Sequence, residues 1–195
     1  MKRKEKGLLS VLLVGLLGGV AGLGVFGAFS STTTNPNNEF SVGSVTIGDN
    51  DSGQALYSVS NRKPGDSVTS CIKVTFSGTL PSNVRLYTTS TIGTVGQYID
   101  LVITPGTQAS STFPDCTGFT PDASGAIYTG TLSNFAATKN SYANGVVDFP
   151  GATSSWTQNN AVVYRFQVTL QSSPPDSIQG QTTGQHAFTW EAREQ

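Results

Sequence analysis

The sequence predicts an all-β protein, a two-sheet antiparallel sandwich preceded by a signal-peptide helix. Three observations lead to this prediction. A basic N-terminus is followed by a long uncharged apolar run, short segments alternate apolar with polar residues, and turn residues separate those segments. Of the 195 residues, 22 are glycine and 9 are proline, so the chain has the turn residues that a fold of many short strands needs.

The N-terminal segment is typical of a secretory signal. The basic head MKRKEK precedes an apolar run over residues 8–29 that contains no charged residue. Gly27 and Ala28, two small residues near the end of this run, are the expected cleavage site. The alternative is an uncleaved membrane anchor, since about 20 apolar residues also span a hydrocarbon core. The expected organisation is a signal peptide over 1–27, a polar N-terminal segment over 28–39 and a β-sandwich domain over 40–195.

The charge of the exported part limits its partners. Residues 28–195 contain seven Lys and Arg against eleven Asp and Glu, which is a net charge of −4. A mildly acidic chain without a basic patch does not attract nucleic acid. We therefore expect no nucleic-acid partner, and contact with a membrane only through the signal segment before cleavage.

Cys71 and Cys116 are the two cysteines of the chain. In an exported protein an even pair predicts one disulfide. Cys71 is out of phase with the apolar residues Ile72 and Val74, so we expect the bond to pin a loop to the outer face of a sheet rather than to cross the core. A redox or metal site is the alternative, but the pair lacks C-x-x-C spacing.

Alternation of apolar and polar residues predicts three clear strands. Ala161–Leu170 places its apolar residues on one face, and Cys71–Phe76 and His186–Ala192 do likewise. Weaker patterns predict further strands over Phe40–Ile47, Ala55–Val59, Asn83–Thr88, Tyr98–Ile103, Ala126–Leu132 and Val146–Phe149.

Three local features complete the predicted fold. The alternation slips at Gly43, which indicates a β-bulge. The triplet Thr104–Gly106, with adjacent proline and glycine, predicts a turn. A short helix is expected over Asn134–Lys139.

The sequence offers no motif for catalysis, and no catalytic, cofactor-binding or metal-binding residue is predicted. His186 is the one histidine, and its phase with the apolar residues of its strand favours a structural role. Asp49–Gly53 has oxygen ligands at alternate positions as calcium loops do, but it lacks their distal glutamate, so a plain turn is favoured. Asn50 begins the weak glycosylation sequon NDS. Trp156 is interpreted as a packing residue, with an exposed sugar-stacking ring as the alternative.

Several separated segments resemble one family, the TasA/camelysin family of secreted proteins with SipW-type signal peptides. The turn motif Lys63-Pro64-Gly65-Asp66 is the most specific of them, and the order of the segments along the chain strengthens the resemblance. The segments are GVFGAFSS over Gly24–Ser31, NEFSVGSV over Asn38–Val45, NRKPGDSV over Asn61–Val68 and, less specifically, FTWEA over Phe188–Ala192.

The resemblance implies a jelly-roll-like sandwich and an extracellular subunit of fibres in a biofilm matrix, from a bacterium or an archaeon. It implies cleavage between Gly27 and Ala28 by a SipW-type signal peptidase. It also implies head-to-tail self-association, in which residues 28–39 act as a donor strand that completes a sheet of the next subunit. The residues expected to take part in assembly are Ala28, Phe29, Phe40 and Val42.

Two departures from the family leave other functions open. The chain carries a cysteine pair that the best-known fibre former lacks, and it is shorter. A monomeric cell-surface module that binds glycan or protein is the first alternative. A camelysin-like metalloprotease is the second, although the sequence offers no ligand cluster for it, and the expectation is a protein that is not an enzyme.

Overall fold

Ala161–Leu170, the longest alternating segment of the sequence, forms the central strand of the larger of two sheets. The structure is a computed structural model that describes residues 39, 41–147 and 155–195, and the fold below is that of the unit Val42–Gln195. The described strands are β1 (Ile47–Asp49), β2 (Ser67–Phe76), β3 (Ser82–Tyr87), β4 (Ile99–Gln108), β5 (Phe119–Pro121), β6 (Tyr128–Thr131), β7 (Val146–Val147), β8 (Ala161–Leu170) and β9 (Thr189–Glu194).

All pairings in the two sheets of the described residues are antiparallel. The larger sheet has the order β1-β2-β8-β4-β5, with β6 also paired to β4, and the smaller sheet has the order β7-β3-β9. The registers Ile72↔Tyr164 and Ile103↔Phe166 place the apolar residues of β2, β8 and β4 on one inner face.

The inner faces of the two sheets enclose one hydrophobic core. The rings of Phe166 and Phe188 lie 4.8 Å apart between centroids, and those of Tyr164 and Trp190 lie 5.5 Å apart. Burying an aromatic or large aliphatic side chain contributes about 1.5–3 kcal/mol, so these contacts join the sheets. The all-β sandwich prediction is confirmed. The predicted signal-peptide helix lies outside the described residues, and the boundaries at residues 28 and 40 stay predictions.

One α-helix, α1 (Leu132–Thr138), is described, close to the predicted Asn134–Lys139. The Thr131 hydroxyl caps it by accepting a hydrogen bond from the Asn134 amide at 3.1 Å. Leu132, predicted as the end of a strand, is instead the first helical residue. Within residues 41–147 and 155–195, no helix has the length and apolar character needed to cross a membrane.

The predicted strand Phe40–Ile47 is wrong over most of its length. Phe40 lies outside the described residues, and only Ile47 belongs to a strand. The amides of residues 77–80 donate hydrogen bonds to the carbonyls of Ser44 and Thr46. Because residues 77–80 are not a strand, these carbonyls find their partners without strand pairing. Gly43 is not a bulge, and a Cβ there would collide with the Leu80 side chain.

Two other local predictions are wrong for tertiary reasons. Ala55–Val59 forms no strand, although Tyr57 packs against the core. The expected turn at Thr104–Gly106 lies inside β4, where Pro105 is paired with Tyr164 of β8. Gly106 is required there because a Cβ would collide with the Thr120 carbonyl of β5. Strand pairing therefore overrides the local proline–glycine signal.

The loop between β4 and β5, residues 109–118, lies over the outer face of the larger sheet and is called the outer loop here. It is held to β2 by a disulfide between Cys71 and Cys116, whose Cα atoms are 5.2 Å apart, and by a 2.9 Å hydrogen bond from the Cys71 amide to the Pro114 carbonyl. Cys71 is paired with Arg165, whose guanidinium lies 4.9 Å from the centre of the Phe119 ring. The disulfide thus covers a sheet face and does not cross the core.

Replacing Cys71 and Cys116 together with alanine is expected to lower the free energy of unfolding by roughly 4 kcal/mol, the loop-entropy value for a sequence separation of 45. Urea unfolding measures this loss, and reduction of the wild-type protein should lower its free energy of unfolding by a similar amount.

Alkylation of unreduced, denatured wild type should label neither thiol. Two labelled thiols would show that the bond is absent.

Candidate functional site

A groove of about 620 Å³ opens over the inner face of the larger sheet, where β2 begins and β8 ends. Its floor is apolar and includes Val68 of β2 with Val168 and Leu170 of β8. Pockets that bind ligands or peptides usually have volumes of roughly 300–1,000 Å³ and apolar linings. The size and lining of this groove make it the candidate functional site.

Two chain segments form the sides of the groove. The first wall is residues 57–64, and the second wall is residues 174–183. No backbone–backbone hydrogen bond joins residues 55–62 to any other described residue. The second wall contains a 3-10 turn, Asp176–Ile178, and its Thr183 carbonyl accepts a hydrogen bond from the Gly93 amide at 2.8 Å. Residues 57–62 of the first wall therefore have no backbone–backbone partner among the described residues, whereas the second wall is tied to the domain.

The side chain of Tyr57 links the first wall to His186, beyond the end of the second. The Tyr57 hydroxyl lies 2.6 Å from His186 Nε2, and His186 Nδ1 lies 3.0 Å from the Gly184 carbonyl oxygen. Burial raises the pKa of Tyr57 well above its ordinary value. His186 also meets Phe188 edge-on, with 5.9 Å between ring centroids. The histidine is partly buried and engaged at both nitrogens, as its predicted structural role requires.

The turn motif Lys63-Pro64-Gly65-Asp66 lies at the rim of the groove, except that Gly65 is not among its lining residues. The Asp66 amide donates to the Lys63 carbonyl at 3.0 Å, and Gly65 has a φ of +87°, as position three of a type II turn requires. The Gly65 amide donates to the Leu170 carbonyl at 2.8 Å, and the Leu170 amide donates to the Asp66 carbonyl at 3.0 Å. The motif thus fixes one end of the first wall to β8.

The charges around the groove are mixed. The positive charges are those of Arg62 and Lys63 in the first wall. The negative charges are those of Asp66 and Asp176, which also line the groove. Because the two signs are balanced, the groove does not select a strongly acidic or strongly basic partner. Its apolar floor, and the backbone of residues 57–62, which no described residue pairs with, are the features available for recognition.

The Asp49–Gly53 segment folds as a turn. Asp49 accepts a hydrogen bond from the Asp51 amide at 3.1 Å, and Asp51 accepts one from the Gly53 amide at 2.6 Å. Burial raises the pKa of the Asp49 carboxyl. The Asn50 amide group donates to the Ser111 carbonyl at 3.0 Å and accepts from the Lys73 amide at 2.8 Å, so the sequon side chain is engaged in joining β2 to the outer loop.

The described residues do not provide a site that fits a metal ion. Among residues 39, 41–147 and 155–195, no group of three or more His, Cys, Asp or Glu side chains is placed to hold one. In the whole sequence, zinc's usual nitrogen and sulfur ligands are limited to His186 and the two cysteines, which are bonded to each other.

The remaining predicted site residues fall into two groups. The expected cleavage residues Gly27 and Ala28, and the expected assembly residues Phe29 and Phe40, lie outside the described residues. Val42 is described and is 79% exposed. Trp156 is 1% exposed, so it packs in the core and is not an exposed sugar-stacking ring.

Sequence reasoning missed the walls of the groove. The strand pattern predicted over Ala55–Val59, shortly before the turn motif, overlaps the start of the first wall. The adjacent prolines Pro174 and Pro175, a turn signal in the sequence, stand at the start of the second wall. Neither signal shows that these two segments face each other, because they are more than 100 residues apart in the chain.

Comparison with known proteins identifies the family. A family model described as camelysin metallo-endopeptidase matches residues 2–98, about half of the chain. The chain belongs to this camelysin family, and its resemblance to the TasA/camelysin family is confirmed. The matched range includes the apolar N-terminal run, the first wall and the turn motif. No curated protein matches the chain.

Gly65→Ala is expected to lower the free energy of unfolding by about 1 kcal/mol, because a left-handed backbone disfavours a Cβ. Nothing lies within 4 Å of the added Cβ, so backbone strain alone causes the loss. Gly48→Ala is the matched control, since its Cβ also enters open space and its φ is not positive. Chemical denaturation measures both variants, and equal losses would contradict the assigned turn.

Proposed function

We propose that the protein is an exported structural subunit that assembles outside the cell, by inserting its N-terminal segment into the groove of a second copy. The observation that carries this proposal is the stretch 57–62 of the first wall, which borders an apolar floor and makes no backbone–backbone hydrogen bond to other described residues. Membership of the TasA/camelysin family supports it. In this proposal a SipW-type signal peptidase cleaves between Gly27 and Ala28 and frees the segment.

The composition of residues 28–38 suits strand addition. The segment reads AFSSTTTNPNN, with one large apolar residue, Phe29, among small and polar ones. Added strands bind through main-chain hydrogen bonds, and side-chain pockets supply specificity. The apolar floor at Val68, Val168 and Leu170 suits an aromatic ring such as that of Phe29.

The symmetry of this contact leads to filaments. The donated segment and the receiving groove are different surfaces of one chain, so the contact is heterologous and leaves a free segment and a free groove at the two ends. Eleven extended residues span about 36 Å, which is long enough for a strand of ordinary length. Each added copy therefore presents the same surfaces to the next.

Deleting residues 28–38 is expected to abolish filaments while leaving the sandwich folded, because the described core residues lie elsewhere. Electron microscopy and sedimentation of the purified exported protein measure assembly, and N-terminal sequencing establishes where that protein starts. Phe29→Ala should weaken assembly, and Ser30→Ala is the matched control. Filaments formed as readily by the deletion variant would overturn strand donation, and persistent wild-type monomers would favour a surface module that binds glycan or protein.

The family description gives a second candidate function, a metallo-endopeptidase. Its test is casein cleavage by the purified protein with and without a chelator. We expect no chelator-sensitive cleavage, because the described side chains do not assemble a metal-ligand cluster. Chelator-sensitive cleavage that His186→Ala abolishes would instead assign the protease activity to this chain.

A further inference from the structure

The first wall is held in place by very few interactions. Residues 55–62 form no helix or strand, and none of them makes a backbone–backbone hydrogen bond to another described residue. The turn motif ties the end after residue 62 to Leu170. At the other end, the side chain of Tyr57 packs against the core and makes the one polar link that the described residues show. Between these ends Val59 is 42% exposed.

His186, the residue that Tyr57 reaches, is itself firmly placed. The next residue, Ala187, accepts a hydrogen bond from the Thr88 hydroxyl at 2.6 Å and donates its amide to the Ser90 hydroxyl at 3.0 Å. Both partners lie just after β3, so the backbone next to His186 is tied to the segment that continues β3. His186 is therefore the anchored partner of the pair, and Tyr57 belongs to the segment with fewer backbone hydrogen bonds among the described residues.

The chemistry of the pair defines which atom donates. The Gly184 carbonyl oxygen can only accept, so Nδ1 of the neutral His186 ring carries the proton. Nε2 then has a lone pair, and the Tyr57 hydroxyl donates to it at 2.6 Å. Burial raises the pKa of the Tyr57 hydroxyl well above its ordinary value, so the hydroxyl is protonated and can donate at neutral pH.

We propose that the Tyr57–His186 hydrogen bond is a clamp that positions the first wall so that its free backbone can pair with an incoming strand. The inference rests on the proposed function. It adds Tyr57 and His186 as the residues that position the first wall of the receiving groove. With the clamp at one end and the turn motif at the other, residues 58–61 are held at two points, and none of the described residues pairs with their backbone. The partner is the 28–38 segment of a second copy, an uncharged segment that suits an uncharged stretch of backbone.

The test compares Tyr57→Phe with Tyr87→Phe in the exported protein. Each change removes one hydroxyl, but Tyr87 donates to Glu191 on the outer face of the smaller sheet at 2.7 Å, away from the groove. Loss of one neutral hydrogen bond corresponds to about a fivefold change in an equilibrium constant. We expect Tyr57→Phe, and not Tyr87→Phe, to raise the critical concentration for filaments by about this factor.

A second readout reports on the wall in the monomer. Trypsin can cleave after Arg62 in the first wall, and cleavage after Lys139, which follows α1, serves as the internal reference. We expect Tyr57→Phe and His186→Ala to accelerate cleavage after Arg62 relative to cleavage after Lys139. His186→Gln, which restores an acceptor, should recover both readouts. The double variant Tyr57→Phe/His186→Ala should be no worse than either single variant, because the two residues act as one unit.

The outcomes separate the clamp from the assembly mechanism. Wild-type behaviour of Tyr57→Phe in both readouts, or an equal effect of Tyr87→Phe, would overturn the clamp while leaving strand donation standing. If wild type forms no filaments, strand donation fails, and the cleavage after Arg62 still decides whether Tyr57 and His186 position the wall.

Discussion

The packing of Phe166 and Tyr164 against Phe188 and Trp190 joins two sheets of unequal size, and the rest of the structure depends on it. The strands β2, β4 and β8 of the larger sheet are each ten residues long, whereas the longest strands of the smaller sheet have six. The smaller sheet is therefore too short to cover the whole inner face opposite it. The uncovered part includes Val68, Val168 and Leu170, and it becomes the floor of the groove.

The sequence predicted the elements in which apolar and polar residues alternate over many consecutive residues. Ala161–Leu170 matches β8 residue for residue, because alternation over ten residues defines both a face and its ends. Ala55–Val59 has a strand pattern too, but it buries Tyr57 without gaining a neighbouring strand. The groove could not be predicted, because its walls are distant in sequence and no local pattern encodes their approach. Only the turn motif Lys63–Asp66 has a local signature.

The outer loop shows how a chain with few apolar residues covers the other face of the larger sheet. A disulfide and a stacked Arg165–Phe119 pair hold this loop, where a larger protein would use a second layer of helix or sheet. Such a bond persists in oxidising compartments. The disulfide and the apolar N-terminal run are independent features, and both favour a protein that works outside the cytoplasm.

The family description and the side chains of this chain point in different directions, and a fold alone does not decide between them. A zinc peptidase needs nitrogen, sulfur or carboxylate ligands brought together, yet the one histidine has both ring nitrogens engaged and the two cysteines are joined. The family match over residues 2–98 instead spans the apolar run, the first wall and the turn motif. In the proposed strand donation, cleavage after the apolar run would release the donated segment, and the first wall and the turn motif would belong to the groove that receives it. Backbone without hydrogen-bond partners among the described residues, beside an apolar floor, resembles an exposed sheet edge, and this likeness supports the proposed pairing with a second copy.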